Sequence, residues 1–249
     1  MVNPTIASRE SPVSPSGNGR SLWRRALEAG AALLQDAPPL RDFDVYVVGL
    51  HCAKHEPDMQ MEAHHYCRQV NQDFFQCVLF DGNTKDANLI GIEYIVSERL
   101  FDSLPDEEKP YWHPHNYEVL SGQLCAPGLP EAAERALMKE LLNSYGKTWH
   151  TWHTGRHDGV PGDRLPLGDP KLMWSFNRDG EADEGLKANF AQHMGVDERS
   201  KRGQRQAFVE LAHPQRGVDE MAAEFTGTTP IPGVVDATRS KSGTPEGAA

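Results

Sequence analysis

The sequence predicts an α+β fold: a single domain with a mainly antiparallel sheet and flanking helices. Three observations lead there. Short apolar runs of strand composition occur near residues 43–52, 75–80, 88–96 and 172–176, and an Asp81-Gly82-Asn83 turn joins the middle two as a hairpin. Helical periodicities fall around these runs without a regular strand–helix–strand beat, which argues against a parallel sheet. Both ends of the 249-residue chain hold little to bury, so one core must come from the middle.

The expected organisation is a disordered leader over 1–19, a domain over 20–215 and a disordered tail over 216–249, where Gly, Thr, Pro and Ser dominate. Residues 1–25 hold Arg9, Arg20, Arg24 and Arg25, several serines and Glu10 as the single acid. That is also the composition of an organellar transit peptide, which stands as the alternative reading.

After the leader, Trp23, Ala26, Leu27, Gly30, Leu33 and Leu34 recur at helical spacing, with Arg24, Glu28 and Gln35 opposite. Ser21 caps this amphipathic helix and Pro38-Pro39 ends it. Docking on the domain is its expected fate, and lying on a lipid surface is the alternative. Phe43–Cys52 reads as a central strand, apolar on both faces. Residues 53–61 read as a polar loop, and 62–74 fit a short helix or an extended segment equally. Ser97 caps a short helix through Leu100 and Phe101, and Asp106-Glu107-Glu108 reads as the acidic first turn of another. Residues 111–125 read as extended. Pro130 starts a helix with Ala133, Leu137, Leu141 and Leu142 as its apolar stripe, ended by Gly146. A short strand follows over 147–153, then a Gly/Pro/Asp loop over 155–170, and helices over about 183–194 and 197–211.

A net charge of −11 and a pI near 5.4 exclude the basic footprint that nucleic acid requires, and they oppose general attraction to anionic membranes. No apolar run approaches the roughly 20 residues of a membrane span. The four cysteines, Cys52, Cys67, Cys77 and Cys125, form no C-x-x-C pair. They read as reduced thiols in a cytoplasmic protein.

Eleven histidines are present, and nine lie between His51 and His157 in three groups. The first group runs His51-Cys52-Ala53-Lys54-His55 and on to His64-His65-Tyr66-Cys67. The second is Trp112-His113-Pro114-His115-Asn116-Tyr117-Glu118. The third is Trp149-His150-Thr151-Trp152-His153, with His157 beyond. Neutral imidazoles and carboxylates together ligate divalent transition metals. On an extended segment His113 and His115 point to one face, and Glu118 reaches them through a turn. The candidate metal set is therefore His64, His65, His113, His115 and Glu118, with His55 and His150 as further members. The competing reading is a set of structural, hydrogen-bonded histidines. The His-x-His pattern differs from the cupin motif in its short gap to Glu118 and its flanking residues. Cys52 with His55 or His65, or Cys67 with His64, would offer a nucleophile pair only if a thiolate were stabilised there. The nucleophile elbow, the phosphate loop, the dinucleotide fingerprint and H-E-x-x-H are all missing.

Several strings, in this order, resemble the oil body-associated protein family. They are Cys52-Ala53-x-His55, Glu62-Ala63-His64-His65-Tyr66-Cys67, Leu89–Glu98, Leu104–Lys109, Trp112-His113-x-His115-x-x-Glu118-Val119, Tyr145-Gly146-Lys147 and His150-x-Trp152. The resemblance covers about residues 26–215, with a shorter loop between His55 and His64 than the family pattern. It implies association with lipid droplets or their proteins, since plant members associate with seed oil bodies and their stability; relatives also occur in fungi and bacteria. It supplies no catalytic residues to carry over. Two functions follow as expectations: a non-enzymatic, lipid-droplet-associated protein, or a metal-dependent enzyme or small-molecule binder built on the histidines.

Overall fold

The computed structural model describes residues 6–35, 38–155 and 161–240. Its strands are β1 (Val45–Ala53), β2 (Glu56–Asn71), β3 (Phe74–Phe80), β4 (Leu89–Val96), β5 (His113–Pro114), β6 (Tyr145–His150) and β7 (Lys171–Ser175). Its α-helices are α1 (Leu22–Leu34), α2 (Glu98–Asp102), α3 (Asn116–Ser121), α4 (Glu131–Leu141), α5 (Glu184–Met194), α6 (Glu198–Gln204) and α7 (Ala237–Ser240). The fold is α+β with an antiparallel sheet, as the sequence predicts.

The sheet closes on itself. β1 to β4 form a meander, β4 pairs with β6, β6 with β7, and β7 returns to β1. Six antiparallel strands thus make a barrel, and β5 pairs with the first residues of β6 beside β7. A barrel this small has room inside only for side chains. Successive residues alternate between the interior and the outer face. The outer face of β1, with Val48, Leu50 and Cys52, is fully buried in a core shared with Tyr117, Trp174, Phe176, Leu186, Phe190 and Phe208.

Several elements differ from expectation for identifiable reasons. Residues 53–61 are not a loop: Lys54-His55 is a tight turn, and β2 starts at Glu56 and runs 16 residues. Its polar composition hides the strand because both of its faces carry polar side chains. Residues 111–125 are not wholly extended. His115 adopts helical backbone angles, and α3 follows with every residue buried. On α4 the buried positions are Glu134, Met138 and Leu141, while Ala133 is exposed. Leu142 caps that helix, Asn143 takes the left-handed conformation, and Gly146 lies inside β6. Cys67 and Cys77 sit directly opposite each other on β2 and β3, with Cα atoms 4.0 Å apart, and are joined by a disulfide. The expectation of four reduced thiols therefore fails at this pair. Cys52 and Cys125 are buried free thiols.

The tails also depart from the expected disorder. Among residues 216–240, Val218, Met221, Ile231 and Val234 join the core, and Gln215 bridges Asp236. In the leader, Arg9 bonds through its backbone to Asn83, and Ser11 and Val13 bond Asp81 and Asn88 of the β3–β4 loop. The Arg9 guanidinium lies 3.3 Å from the buried Glu62 carboxylate, whose other oxygen is 2.8 Å from His64 Nε2. Tyr46 closes the chain at 2.7 Å from His64 Nδ1, and its hydroxyl also accepts from Asn83. Burial raises the Tyr46 pKa, so the hydroxyl stays protonated.

Two outcomes follow. Burial pushes the Cys125 thiol up to about 12 and raises Cys52 as well. At pH 8 such a thiol is only about one part in ten thousand thiolate. The folded protein is expected to resist a thiol reagent, and the denatured, unreduced protein to titrate only the two free thiols. Four titrating thiols would contradict the pairing. Arg9→Ala leaves the Glu62 carboxylate buried without its cation, and is expected to cost about 3 kcal/mol in urea unfolding and to expose the leader to proteolysis. A loss below about 0.5 kcal/mol would mean that the segment is not docked.

Candidate functional site

The barrel interior is polar where a core would ordinarily be apolar. Glu93, from the middle of β4, is 2 % exposed and is the focus. Its Oε2 lies 2.8 Å from His65 Nε2 of β2. Its Oε1 lies 3.5 Å from His113 Nε2 of β5 and 3.4 Å from His115 Nε2 at the start of α3. The two Nε2 atoms are 3.3 Å apart. Side chains from β2, β4 and β5 can meet in this way only across the interior.

A second layer extends the cluster. The His51 ring of β1 stands edge-on to His65, His113 and His150, with centroids 5.1, 5.8 and 5.5 Å away. His51 Nδ1 is 3.4 Å from His150 Nε2, and His150 Nδ1 is 2.9 Å from Met61 Sδ. Glu118, in the first turn of α3, brings Oε2 within 3.8 Å of His115 Nε2. Among the described residues, two groups have ligating atoms all within 4.8 Å of one another: His51, His65 and Glu93, and Glu93, His113 and His115. An open cleft of about 440 Å³, lined by Asp58, Met59, Trp152, His153 and Asp169, reaches His150 from outside.

The close approach depends on Gly146. It pairs with His113 across β5–β6, and a β carbon there would fall 2.1 Å from Glu93 Oε1 and 2.6 and 2.7 Å from the His115 and His113 Nε2 atoms. Only glycine leaves that space. Partners outside the cluster orient the rings. His65 Nδ1–H donates to the Ala63 carbonyl at 3.1 Å. Ser144 Oγ donates to the Leu141 carbonyl at 2.6 Å, so it accepts from His115 Nδ1–H at 2.8 Å.

The interior shifts its own titrations. Burial lowers His51 well below its ordinary value, helped by the neighbouring His65 and opposed by Glu93. Burial lowers His113, opposed by its hydrogen bond to Glu93. Burial takes His150 down to about 3. For Glu93, burial alone would raise the pKa, but hydrogen bonds from His113, His115 and His65 outweigh it and the carboxyl lies well below its ordinary range. Burial, then the charge on Glu93, raises Glu118 well above its ordinary value. The two neighbouring carboxyls are thus shifted in opposite directions.

Of the residues singled out in the sequence, the structure brings together His65, His113, His115 and Glu118, with His150 at the rim. His64 is not with them: it points from the opposite face of β2 to Glu62 and Tyr46, because adjacent strand residues face opposite ways. His55 sits exposed on the β1–β2 turn. His157 lies outside the described residues. The cysteine–histidine pairings do not form: Cys52 Sγ contacts the Trp174 carbonyl, and Cys67 is in the disulfide. Sequence reasoning missed Glu93 and left His51 out of the site. The available signal was a lone acid inside the apolar run Leu89–Val96.

The family model described as "Protein of unknown function (DUF1264)" matches residues 37–209. Oil body-associated protein 2B of Arabidopsis thaliana is 45% identical over 161 residues, which is 65% of this chain and 63% of that protein. Oil body-associated protein 1A of Zea mays is 37% identical over 213 residues, covering 86% of this chain and 84% of that one. Oil body-associated protein 1B of Arabidopsis thaliana is 35% identical over 196 residues, 79% and 78% of the two chains. The chain spans somewhat under two thirds of the length of the first of these relatives. No solved structure matches it. With one family model across most of the barrel and helices, and sustained identity to these plant proteins, the chain belongs to the oil body-associated protein family.

Proposed function

We propose that this protein associates with the surface of lipid droplets and acts there by binding rather than by catalysing a reaction. The observation that carries this reading is helix α1. None of its residues is buried, and Leu22, Trp23, Leu33 and Leu34 are each more than 70 % exposed. Leu22, Trp23, Ala26, Leu27, Leu33 and Leu34 lie along one side, and Arg24, Arg25 and Glu28 along the other. Ser21 caps the start by accepting from the Arg24 amide. A short helix with Trp and Leu on one face and Arg on the other suits the boundary between headgroups and acyl chains. Expectation placed this helix against the domain; its apolar side chains are instead left exposed.

The names of the relatives support the same direction, since they are called oil body-associated proteins. No helix among the described residues is long and apolar enough to cross a membrane. Contact would therefore be made by shallow insertion. The net charge of −11 opposes electrostatic attachment, so apolar burial has to supply the affinity.

Flotation of the full chain with triacylglycerol droplets coated in phosphatidylcholine tests this. Binding is expected, and is expected to persist at about 0.5 M salt because it does not rest on charge. Replacing Trp23, Leu27 and Leu34 by serine is expected to reduce it roughly tenfold or more. Flotation that is unchanged in this triple variant would remove α1 from the account. Flotation lost at high salt would contradict the apolar mode.

A further inference from the structure

We propose that Glu93, His113 and His115 hold one divalent transition-metal ion inside the barrel, with His65 and His51 beside them. The proposal stands independently of the droplet reading, because α1 takes no part in it.

The first support is the placement of protons. His65 Nδ1 faces a carbonyl, and His115 Nδ1 faces a hydroxyl whose own proton is committed to the Leu141 carbonyl. Both rings must therefore carry hydrogen on Nδ1. In the neutral ring that leaves the Nε2 lone pair exposed. Yet each Nε2 is aimed at the Glu93 carboxylate, which is also an acceptor, and His65 Nε2 approaches it to 2.8 Å. Facing a carboxylate in a dry interior, such a nitrogen needs positive charge, from a proton of its own or from a metal ion; three imidazoles meeting one carboxylate favour a single shared ion over several separate protons. The carbonyl and hydroxyl behind the rings are the usual orienting partners of metal-bound histidines.

The second support is metric. His113 Nε2, His115 Nε2 and Glu93 Oε1 form a triangle with edges of 3.3, 3.4 and 3.5 Å. These edges are long for hydrogen bonds, whose usual length is about 2.9 Å. They suit three ligands of one tetrahedral ion: bonds of about 2.05 Å put the ligand atoms roughly 3.4 Å apart. Gly146 keeps the triangle free of any β carbon.

The third support is unmet polar capacity in the same place. His113 Nδ1 and Glu118 Oε1 are buried without a hydrogen-bond partner. No lysine or arginine among the described residues pairs with Glu93 or Glu118. Imidazoles with one carboxylate favour Zn²⁺, Fe²⁺, Co²⁺ or Ni²⁺ over Mg²⁺ and Ca²⁺, which take oxygen ligands.

The test is titration of the chelator-treated full chain with Co²⁺, read by its visible d–d bands, with Zn²⁺ as competitor. About one equivalent of Co²⁺ is expected, displaced by Zn²⁺. Ser144→Ala removes an orienting partner without touching the ion and is expected to weaken binding about ten- to a hundredfold. Glu93→Gln is expected to abolish stoichiometric uptake, and His55→Ala, on the exposed turn, to leave it unchanged. Folded wild-type protein that takes up no stoichiometric Co²⁺ or Zn²⁺ would overturn the proposal. So would uptake that survives Glu93→Gln or is lost in His55→Ala. If Glu93→Gln does not fold, X-ray absorption of the zinc-loaded wild type decides. Scattering from two or more imidazoles supports the site, and an oxygen-only shell overturns it.

Discussion

A carboxylate sealed inside a six-stranded barrel costs several kcal/mol unless donors or a cation meet it. Glu93 is in that position, and much of the molecule is arranged around the problem. β2 supplies His65, β5 supplies His113, and the turn into α3 supplies His115. Barrel closure is what brings these elements to one point. β4 pairs with β6, β6 carries Gly146, and Gly146 lets β5 lie close enough for both its neighbouring imidazoles to reach the carboxylate. The sheet's second face has a separate polar chain, Arg9–Glu62–His64–Tyr46, which ties the leader to the barrel. Two buried glutamates on two faces of one sheet thus have different partners among the described residues: Glu62 an arginine and a histidine, Glu93 histidines.

What the sequence made legible follows from where its apolar residues lie. β1, β3, β4 and β7 show as apolar runs, and α5 and α6 fall within the helices expected over about 183–194 and 197–211. β2 was opaque because its inward residues include His65 and its outward ones Glu62 and His64, so no apolar alternation survives. Residues 216–240 were misjudged because four well-spaced apolar side chains suffice to dock a segment that composition alone would call a tail. Closure of the sheet depends on the β4–β6 and β1–β7 pairings, between strands far apart in sequence, and no local pattern encodes those. The same limit applied to the site. His113, His115 and Glu118 are near neighbours and were found together. Glu93, twenty residues earlier on another strand, shows itself only as an acid at an inward position of an otherwise apolar strand.

The two functional elements use different physics. α1 keeps apolar surface outside the fold, open to an external partner or phase. The barrel does the reverse, drawing histidines and carboxyls into a volume that exposes almost none of them. A protein built only to coat a surface needs the first and has no evident need of the second. The family's sequence strings run through Glu62–Cys67, Trp112–Glu118 and Tyr145–Lys147, which are the segments that line or orient this interior.

Protonation of individual rings tests the central claim, the convergence of Nε2 atoms on Glu93, most directly. Long-range ¹H–¹⁵N correlation spectra of ¹⁵N-histidine-labelled, zinc-loaded protein report which nitrogen of each ring carries hydrogen. The account expects His65 and His115 to be protonated at Nδ1 with no hydrogen on Nε2. A proton on Nε2 of either ring would contradict it.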